Sequence, residues 1–159
     1  WIFECKRATA GRNTVIYDKD GKVCAVSYTI GAFVNTITGK AVVMSAEYAR
    51  NLPVSDRFDM EYLDRKIAVP DIQPVKLSPM PVLKYDLDYN NHVNNSKYIT
   101  IAQEYIEDGF DFSRVRVEYK TPAKYGDILA PYRYKTEKSQ IIDLRAKNGE
   151  SFAAVEFLK

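Results

Sequence analysis

Cysteine and histidine, the side chains most used in metal centres and nucleophilic sites, are scarce in this sequence. Its 159 residues include two cysteines, Cys5 and Cys24, and one histidine, His92. Neither cysteine lies in a Cys-x-x-Cys or zinc-ligand spacing, so no disulfide framework or metal site is expected. The few cysteines fit a reducing, cytoplasmic location.

Long apolar runs and a strong excess of one charge are also missing. No stretch approaches the roughly 20 apolar residues that span a bilayer, and residues 1–5 lack the basic region of a signal peptide. The formal net charge of +2 argues against a nucleic-acid binder, which usually carries a concentrated basic face. We therefore expect a soluble globular protein with no nucleic-acid partner and no membrane span.

The first half of the sequence has the pattern of β-strands. Residues 13–17 and 22–30 are rich in β-branched and aromatic side chains, and the Asp20-Gly21 pair between them favours a tight turn. Residues 70–81 contain four prolines, which disfavour regular ladder pairing. This segment is predicted to be an extended linker between two units.

One helix is predicted after the linker. Its apolar residues recur at i, i+3, i+4, i+7 and i+8 and form a single stripe: Tyr98, Ile101, Ala102, Tyr105 and Ile106. Asn94 or Asn95 can cap the start of this helix, and Gly109 can end it.

Strands are predicted on both sides of this helix. Their ranges are 82–87, 114–120, 128–135, 141–145 and 151–158. Because one helix covers a single face of such a sheet, the expected class is α+β, with an antiparallel sheet wrapped around a central helix. A weak internal repeat, which aligns Gly21 with Gly149, predicts two such units with the first one incomplete. The alternative is a β-rich half-sheet that another chain completes.

The densest polar cluster lies directly before the predicted helix. Residues 86–95 hold two carboxylates, four amides and the histidine. A helix start offers unpaired N–H groups that can stabilise an oxyanion, and a carboxylate beside an imidazole can add water to an acyl carbonyl. Asp and Asn are also common in loops and at caps for structural reasons, and spacing alone leaves that alternative equally open.

The cluster has a specific resemblance. Residues 88–98 read Asp-Tyr-Asn-Asn-His-Val-Asn-Asn-Ser-Lys-Tyr, which closely resembles the signature of acyl-acyl carrier protein thioesterases, a double-hotdog family of plants and bacteria. The chain is most similar to the bacterial type. The resemblance implies a tandem hotdog. Its parts are the latter part of the first hotdog (1–69, on the acyl-chain side), a Pro-rich linker (70–82) and a second hotdog with the motif (83–159).

The resemblance also implies roles for individual residues. Asp88, Asn90 and His92 match the catalytic acid, amide and imidazole, and amides at the helix start near Val93 and Asn94 would receive the carbonyl oxygen. Two routes stay open: Asp88 and His92 together activate water, or Asp88 attacks the acyl carbon directly.

Further positions are more ambiguous. Asp86 and Glu104 could support the site, although a glutamate such as Glu104 more often lies on a solvated helix face. Plant members carry a Glu-Cys pair where this sequence has Pro122 and Ala123. A Cys-His mechanism at this position is therefore ruled out.

The implied activity is hydrolysis of fatty acyl-acyl carrier protein thioesters to free fatty acid and carrier protein, without a metal or organic cofactor. The implied partner is the acylated carrier protein. Open sheet edges also predict association into a homo-oligomer. Two alternatives remain: an acyl-CoA thioesterase of the hotdog group, and a non-catalytic acyl-thioester-binding hotdog, which the missing Glu-Cys pair favours.

Overall fold

The computed structural model describes residues 1–159, which form two compact units, Trp1–Asp64 and Arg65–Lys159. The predicted domain ranges 1–69, 70–82 and 83–159 remain predictions.

The first unit is a three-stranded antiparallel sheet with one short helix. The strands lie in the order β1 (Ile2–Cys5), β2 (Thr9–Tyr17) and β3 (Val23–Ala32), and helix α1 spans Ala46–Asn51. The turn between β2 and β3 contains Gly21 at φ 82°, a left-handed conformation that favours glycine. The predicted strands and turn are confirmed, and the unit holds only part of a hotdog, as expected.

A small core anchors this first sheet. The buried Oδ1 of Asn13 accepts hydrogen bonds from the Phe58 N–H at 3.2 Å and the Tyr62 hydroxyl at 2.8 Å. Gly11 faces the ring of Phe3, and a Cβ at Gly11 would lie 2.5 Å from that ring. Glycine at this position therefore lets the aromatic ring pack directly on the backbone.

Strand β3 forms one edge of this sheet. Its ten residues include no charged side chain and no proline. Val23 and Val26 are 42% and 37% exposed. The edge is therefore long, uncharged and partly apolar.

The second unit contains the central helix α2 and six antiparallel strands. They are α2 (Asn95–Gln103), β4 (Val75–Lys76), β5 (Met80–Pro81), β6 (Arg114–Tyr119), β7 (Ile128–Lys135), β8 (Ser139–Arg145) and β9 (Ser151–Leu158). The sheet order is β4-β7-β8-β9-β6, and β5 also pairs with β7.

Helix α2 packs against the inner face of this sheet. Its buried residues Tyr98, Ile101 and Ala102 belong to one apolar cluster with residues of β7, β8 and β9, including Leu129 and Phe157. Burying this stripe supplies the main driving force for closing the sheet around the helix. The predicted α+β class, a hotdog with a sheet around a central helix, is confirmed. Neither helix has the length and apolar character needed to cross a membrane.

Three local predictions were wrong. The proline-rich segment is not free of ladder pairing, because Val75–Lys76 and Met80–Pro81 both pair with β7. Each pairing is only two residues long, and three of the four prolines lie outside the paired residues. The strand predicted over 82–87 is a 3-10 helix at Lys84–Asp86, and α2 ends at Gln103 rather than near Gly109.

Candidate active site

A tight hairpin carries the polar motif into α2. The Asp88 N–H donates to the His92 carbonyl at 2.8 Å, and Leu87 forms a β-bridge with Val93. At the tip, the Asn91 N–H donates to the Asp88 carbonyl at 3.0 Å, and Asn91 has φ 59°. It is the only non-glycine residue with positive φ, a conformation that asparagine tolerates better than most side chains.

The Asp88 carboxylate folds back onto this hairpin. Its Oδ1 accepts from the Asn90 N–H at 2.8 Å and the His92 N–H at 3.3 Å, and its Oδ2 accepts from Asn90 Nδ2 at 3.4 Å. Desolvation, the largest single influence, raises the pKa of Asp88. The hydrogen bonds from His92 and Asn90 and the nearby imidazole outweigh it and lower the pKa below its ordinary value of 3.8. Asp88 is therefore ionised at neutral pH.

His92 lies opposite Asp88 in the hairpin. Its imidazole is half-buried and forms no hydrogen bond within the chain. The structure thus brings Asp88, Asn90 and His92 together, with an ionised carboxylate held in place and an imidazole whose nitrogens are free to bind water or substrate.

The start of α2 is capped by Asn94, as predicted. Its Oδ1 accepts from the N–H and the hydroxyl of Ser96, both at 2.9 Å. Asn94 has φ −59° and ψ 137°, an extended conformation that turns the chain into the helix. The hairpin therefore delivers its side chains to the positive end of the helix dipole.

The amides at this helix start differ in availability. The Val93 N–H donates to the Ala123 carbonyl at 2.9 Å, and the Asn94 N–H donates to the Asp86 carbonyl at 2.8 Å. Both predicted oxyanion donors are thus engaged within the protein. The next amide, at Asn95, donates to no atom of the chain. Asn95 is therefore the first residue of the helix, and its N–H is free. This could not be predicted from the sequence, because the acceptors that engage Val93 and Asn94 come from tertiary contacts.

Tyr98, which the sequence showed only as part of the apolar stripe of the helix, also forms a buried hydrogen bond. It is 2% exposed, and its hydroxyl accepts a 2.9 Å hydrogen bond from the Ala123 N–H. Burial, the largest influence, raises the pKa of Tyr98 above its ordinary value of 10.0, so the phenol stays protonated. The only indication of this contact in the sequence is the general rule that a buried tyrosine hydroxyl needs a hydrogen-bond partner.

Ala123 therefore joins the helix and the hairpin through its backbone. Its N–H bonds to Tyr98 and its carbonyl bonds to Val93, while its side chain is fully buried. Ala123 therefore has a buried methyl group and a backbone held by two hydrogen bonds, and it provides no nucleophile. The adjacent Pro122 is exposed.

The two predicted supporting carboxylates are in very different places. Asp86 is fully buried beneath the hairpin, whereas Asp88 is half-buried. The strand predicted over residues 82–87, which would have carried Asp86, is replaced by the 3-10 helix. Glu104 is the exposed C-cap of α2. It lies nine residues from Asn95, about 13 Å along the helix axis, so the structure does not bring it to the hairpin.

An open cleft of about 530 Å³ adjoins the hairpin. Its lining residues are Lys84, Leu87, Asp88, Asn91, Lys124 and Tyr125. Lys84 Nζ lies 5.6 Å from the centre of the Tyr125 ring. The cleft therefore offers apolar, aromatic and cationic surface beside the Asp88 carboxylate. No cluster of three or more His, Cys, Asp or Glu side chains is arranged to hold a metal ion.

Comparison with known proteins agrees with this geometry. Residues 71–157 match the family model of the acyl-ACP thioesterase C-terminal domain, where ACP is the acyl carrier protein. A search of curated protein sequences found no match.

Solved structures with a similar fold include an acyl-ACP thioesterase from Bacteroides thetaiotaomicron, with a TM-score of 0.82 and 21% identity over 99% of this chain and 65% of that one. A 12:0-ACP thioesterase from Umbellularia californica has a TM-score of 0.81 and 18% identity over 99% and 65%. A putative oleoyl thioesterase from Lactobacillus plantarum has a TM-score of 0.73 and 21% identity over 96% and 63%.

These structures share the fold, and the chain spans 63–65% of their length. The family match extends over more than half of the chain and includes the whole polar hairpin and helix α2. The chain belongs to the acyl-ACP thioesterase family.

Proposed function

We propose that this protein hydrolyses fatty acyl-acyl carrier protein thioesters to a free fatty acid and the carrier protein. One observation carries the proposal: the ionised Asp88 carboxylate and the unbonded His92 imidazole share a hairpin that ends at the free Asn95 N–H. A carboxylate, a base and an oxyanion donor are the groups that acyl transfer to water requires.

In the proposed reaction, the His92 imidazole takes a proton from water while the water oxygen attacks the thioester carbon. The carbonyl electron pair moves to oxygen, which the Asn95 N–H receives at the positive end of α2. When the carbonyl re-forms, the carbon–sulfur bond breaks and the thiolate takes the proton from the imidazolium. The products are the carboxylic acid and the carrier's thiol.

The lowered pKa of Asp88 favours this route over direct attack by the carboxylate. Its two oxygens already accept three hydrogen bonds from Asn90 and His92, which stabilise the charge and weaken the carboxylate as a base or nucleophile. In the proposal, Asp88 fixes the hairpin and stabilises the imidazolium, and Asn90 holds the carboxylate through its side-chain amide.

The substrate would reach Asp88 through the adjoining cleft. Lys84 and Lys124 give its rim positive charge, and Tyr125 offers an apolar surface. The acyl-chain side is assigned to residues 1–69, where chain length would be selected. The acylated carrier protein as partner, association into a homo-oligomer and a cytoplasmic role in fatty acid synthesis belong to the same proposal.

The test is thiol release from a panel of acyl-acyl carrier protein substrates by the parent protein and its His92→Ala and Asp88→Ala variants. Release by the parent that falls by at least about 100-fold in both variants supports the proposal. The exposed Asp111→Ala variant is the matched control and should retain parent activity.

Other outcomes redirect the assignment. Activity that persists in both variants places the chemistry elsewhere. Faster release from acyl-CoA than from acylated carrier protein makes the protein an acyl-CoA thioesterase. Tight binding of acyl thioesters with no thiol release identifies an acyl-binding hotdog. A label from heavy-oxygen water found in Asp88 after a single turnover contradicts the proposed route and supports direct carboxylate attack.

A further inference from the structure

The buried Asp86 carboxylate lies at the base of the active-site hairpin. It has no solvent exposure, and its Oδ2 accepts from the Leu83 N–H at 2.9 Å, which closes the 3-10 turn. The backbone carbonyl of Asp86 accepts from the Asn94 N–H at 2.8 Å. One residue therefore ties the segment that enters the hairpin to the residue that caps α2.

The pairing continues from Asp86 to the reactive groups. The Asn94 N–H donates to the Asp86 carbonyl, Leu87 forms a β-bridge with Val93, and the Asp88 N–H donates to the His92 carbonyl. Because these contacts are consecutive rungs of one short ladder, a shift at Asp86 is transmitted to both Asp88 and His92. The same shift moves Asn94, whose peptide group carries the Asn95 N–H.

Stability alone does not account for a carboxylate at this position. Oδ1 of Asp86 is the one fully buried carboxylate oxygen without a hydrogen-bond partner in the protein. A buried and unsatisfied polar atom destabilises the fold, and a neutral amide could accept the same bond from Leu83. Asp143 provides the contrast: it is 2% exposed, and its two oxygens accept bonds from Arg145 Nε and Ser151 Oγ, both at 2.6 Å.

We infer that Asp86 is the positioning residue of the active-site hairpin: its bond to Leu83 fixes the ladder that holds Asp88 and His92 at the start of α2. Asp86 touches neither substrate nor water in the reaction. Its effect on turnover rests on the proposed hydrolysis, whereas its effect on the hairpin does not depend on any activity.

The experiment compares Asp86→Ala, Asp86→Asn and the matched buried-carboxylate control Asp143→Ala. The alanine variant loses the bond to Leu83, and the asparagine variant keeps an oxygen that can accept it. Because His92 is the only histidine, its Cε1–H group gives a single resolved signal in a proton–carbon NMR spectrum, so the hairpin is monitored without assignment. Thiol release is measured in parallel and normalised to the folded fraction.

We expect kcat of Asp86→Ala to fall about 100-fold with little change in KM, as for a misplacement of reacting groups by about 1 Å. The His92 signal should shift in this variant. Asp86→Asn should restore kcat to within about tenfold of the parent and restore the signal. Asp143→Ala should lower stability and leave both readouts of the folded protein unchanged.

The inference is overturned if Asp86→Ala retains parent kcat and the parent His92 signal, or if Asp143→Ala shows the same losses. If the alanine variant does not fold, Asp86→Ser replaces it, since serine keeps a buried hydroxyl that is too short to reach the Leu83 N–H. A parent protein that releases no thiol refutes the proposed hydrolysis, and in that case the His92 signal alone decides the role of Asp86.

Discussion

Replacing Asn95 by proline removes one backbone donor from the proposed oxyanion site. Asn95 is the first residue of α2, where proline is well tolerated because its fixed φ suits the helix and no N–H is needed there. The preceding Asn94 has φ −59° and ψ 137°, the extended conformation that a residue before proline prefers. The Asn95 carbonyl, which accepts from the Tyr119 hydroxyl at 3.0 Å, is retained.

The expected size of the effect follows from the role of the donor. An N–H that binds the oxyanion more strongly than the ground-state carbonyl affects kcat rather than KM. Removing one such donor typically lowers kcat by about 10²–10³, or about 2.7–4 kcal/mol. The free energy of unfolding should change by less than about 0.5 kcal/mol, because the substituted residue is exposed and its N–H has no partner in the chain.

The assay is steady-state thiol release by the parent, Asn95→Pro and Asn95→Ala, with urea unfolding of all three. Asn95→Ala is the control because it loses the same side chain and keeps the N–H. A low kcat in the proline variant together with near-parent kcat in the alanine variant assigns the effect to the amide. Parent-level kcat in both variants refutes the role of the Asn95 N–H. An equal loss of kcat in both variants assigns the role to the asparagine side chain instead.

Three further predictions concern stability. Tyr98→Phe leaves the buried Ala123 N–H without an acceptor, which should lower the free energy of urea unfolding by about 1–3 kcal/mol. An unchanged unfolding curve would show that this hydrogen bond does not stabilise the fold. The folded-state pKa of Asp88 lies below 3.8, so its stabilisation is present above that pH and is lost as the pH falls through the folded-state pKa. The difference in thermal midpoint between the parent and Asp88→Asn should therefore be constant near neutrality and shrink on acidification below about pH 4. A difference that grows below about pH 4 would contradict the stabilising role of the ionised Asp88. Gly11→Ala places a methyl group 2.5 Å from the Phe3 ring and should destabilise the first unit by about 1–3 kcal/mol in the same urea assay. Gly31→Ala is its control, because the added Cβ meets no atom within 4 Å.

Local patterns predicted most of the regular structure. Alternating and β-branched residues identified β2, β3, β7 and β9, and the stripe through Tyr98, Ile101 and Ala102 identified α2. Side-chain period and capping are local properties, so they can be seen in sequence. The end of α2 was predicted poorly because Tyr105 and Ile106 still pack on the core after the helix has ended, which prolongs the helical pattern.

The candidate site was only partly visible in the sequence. The motif identified Asp88, Asn90 and His92 as neighbours because a short hairpin keeps them together. It could not show which amides remain free at the start of α2, since the acceptor for Val93 comes from Ala123, 30 positions along the chain. It also could not show that a 3-10 turn buries Asp86, because three residues leave no periodic signal.

The edge strand β3 has a consequence for how the protein behaves at high concentration. Along its ten residues, the outward N–H and C=O groups have no neighbouring strand, and no lysine, glutamate or proline interrupts them. Such an edge accepts a further strand in register, which binds through main-chain hydrogen bonds with little demand on its sequence. Strand addition at β3 is thus the expected starting point for polymerisation, and a lysine in place of the exposed Val26 is the substitution that would block it.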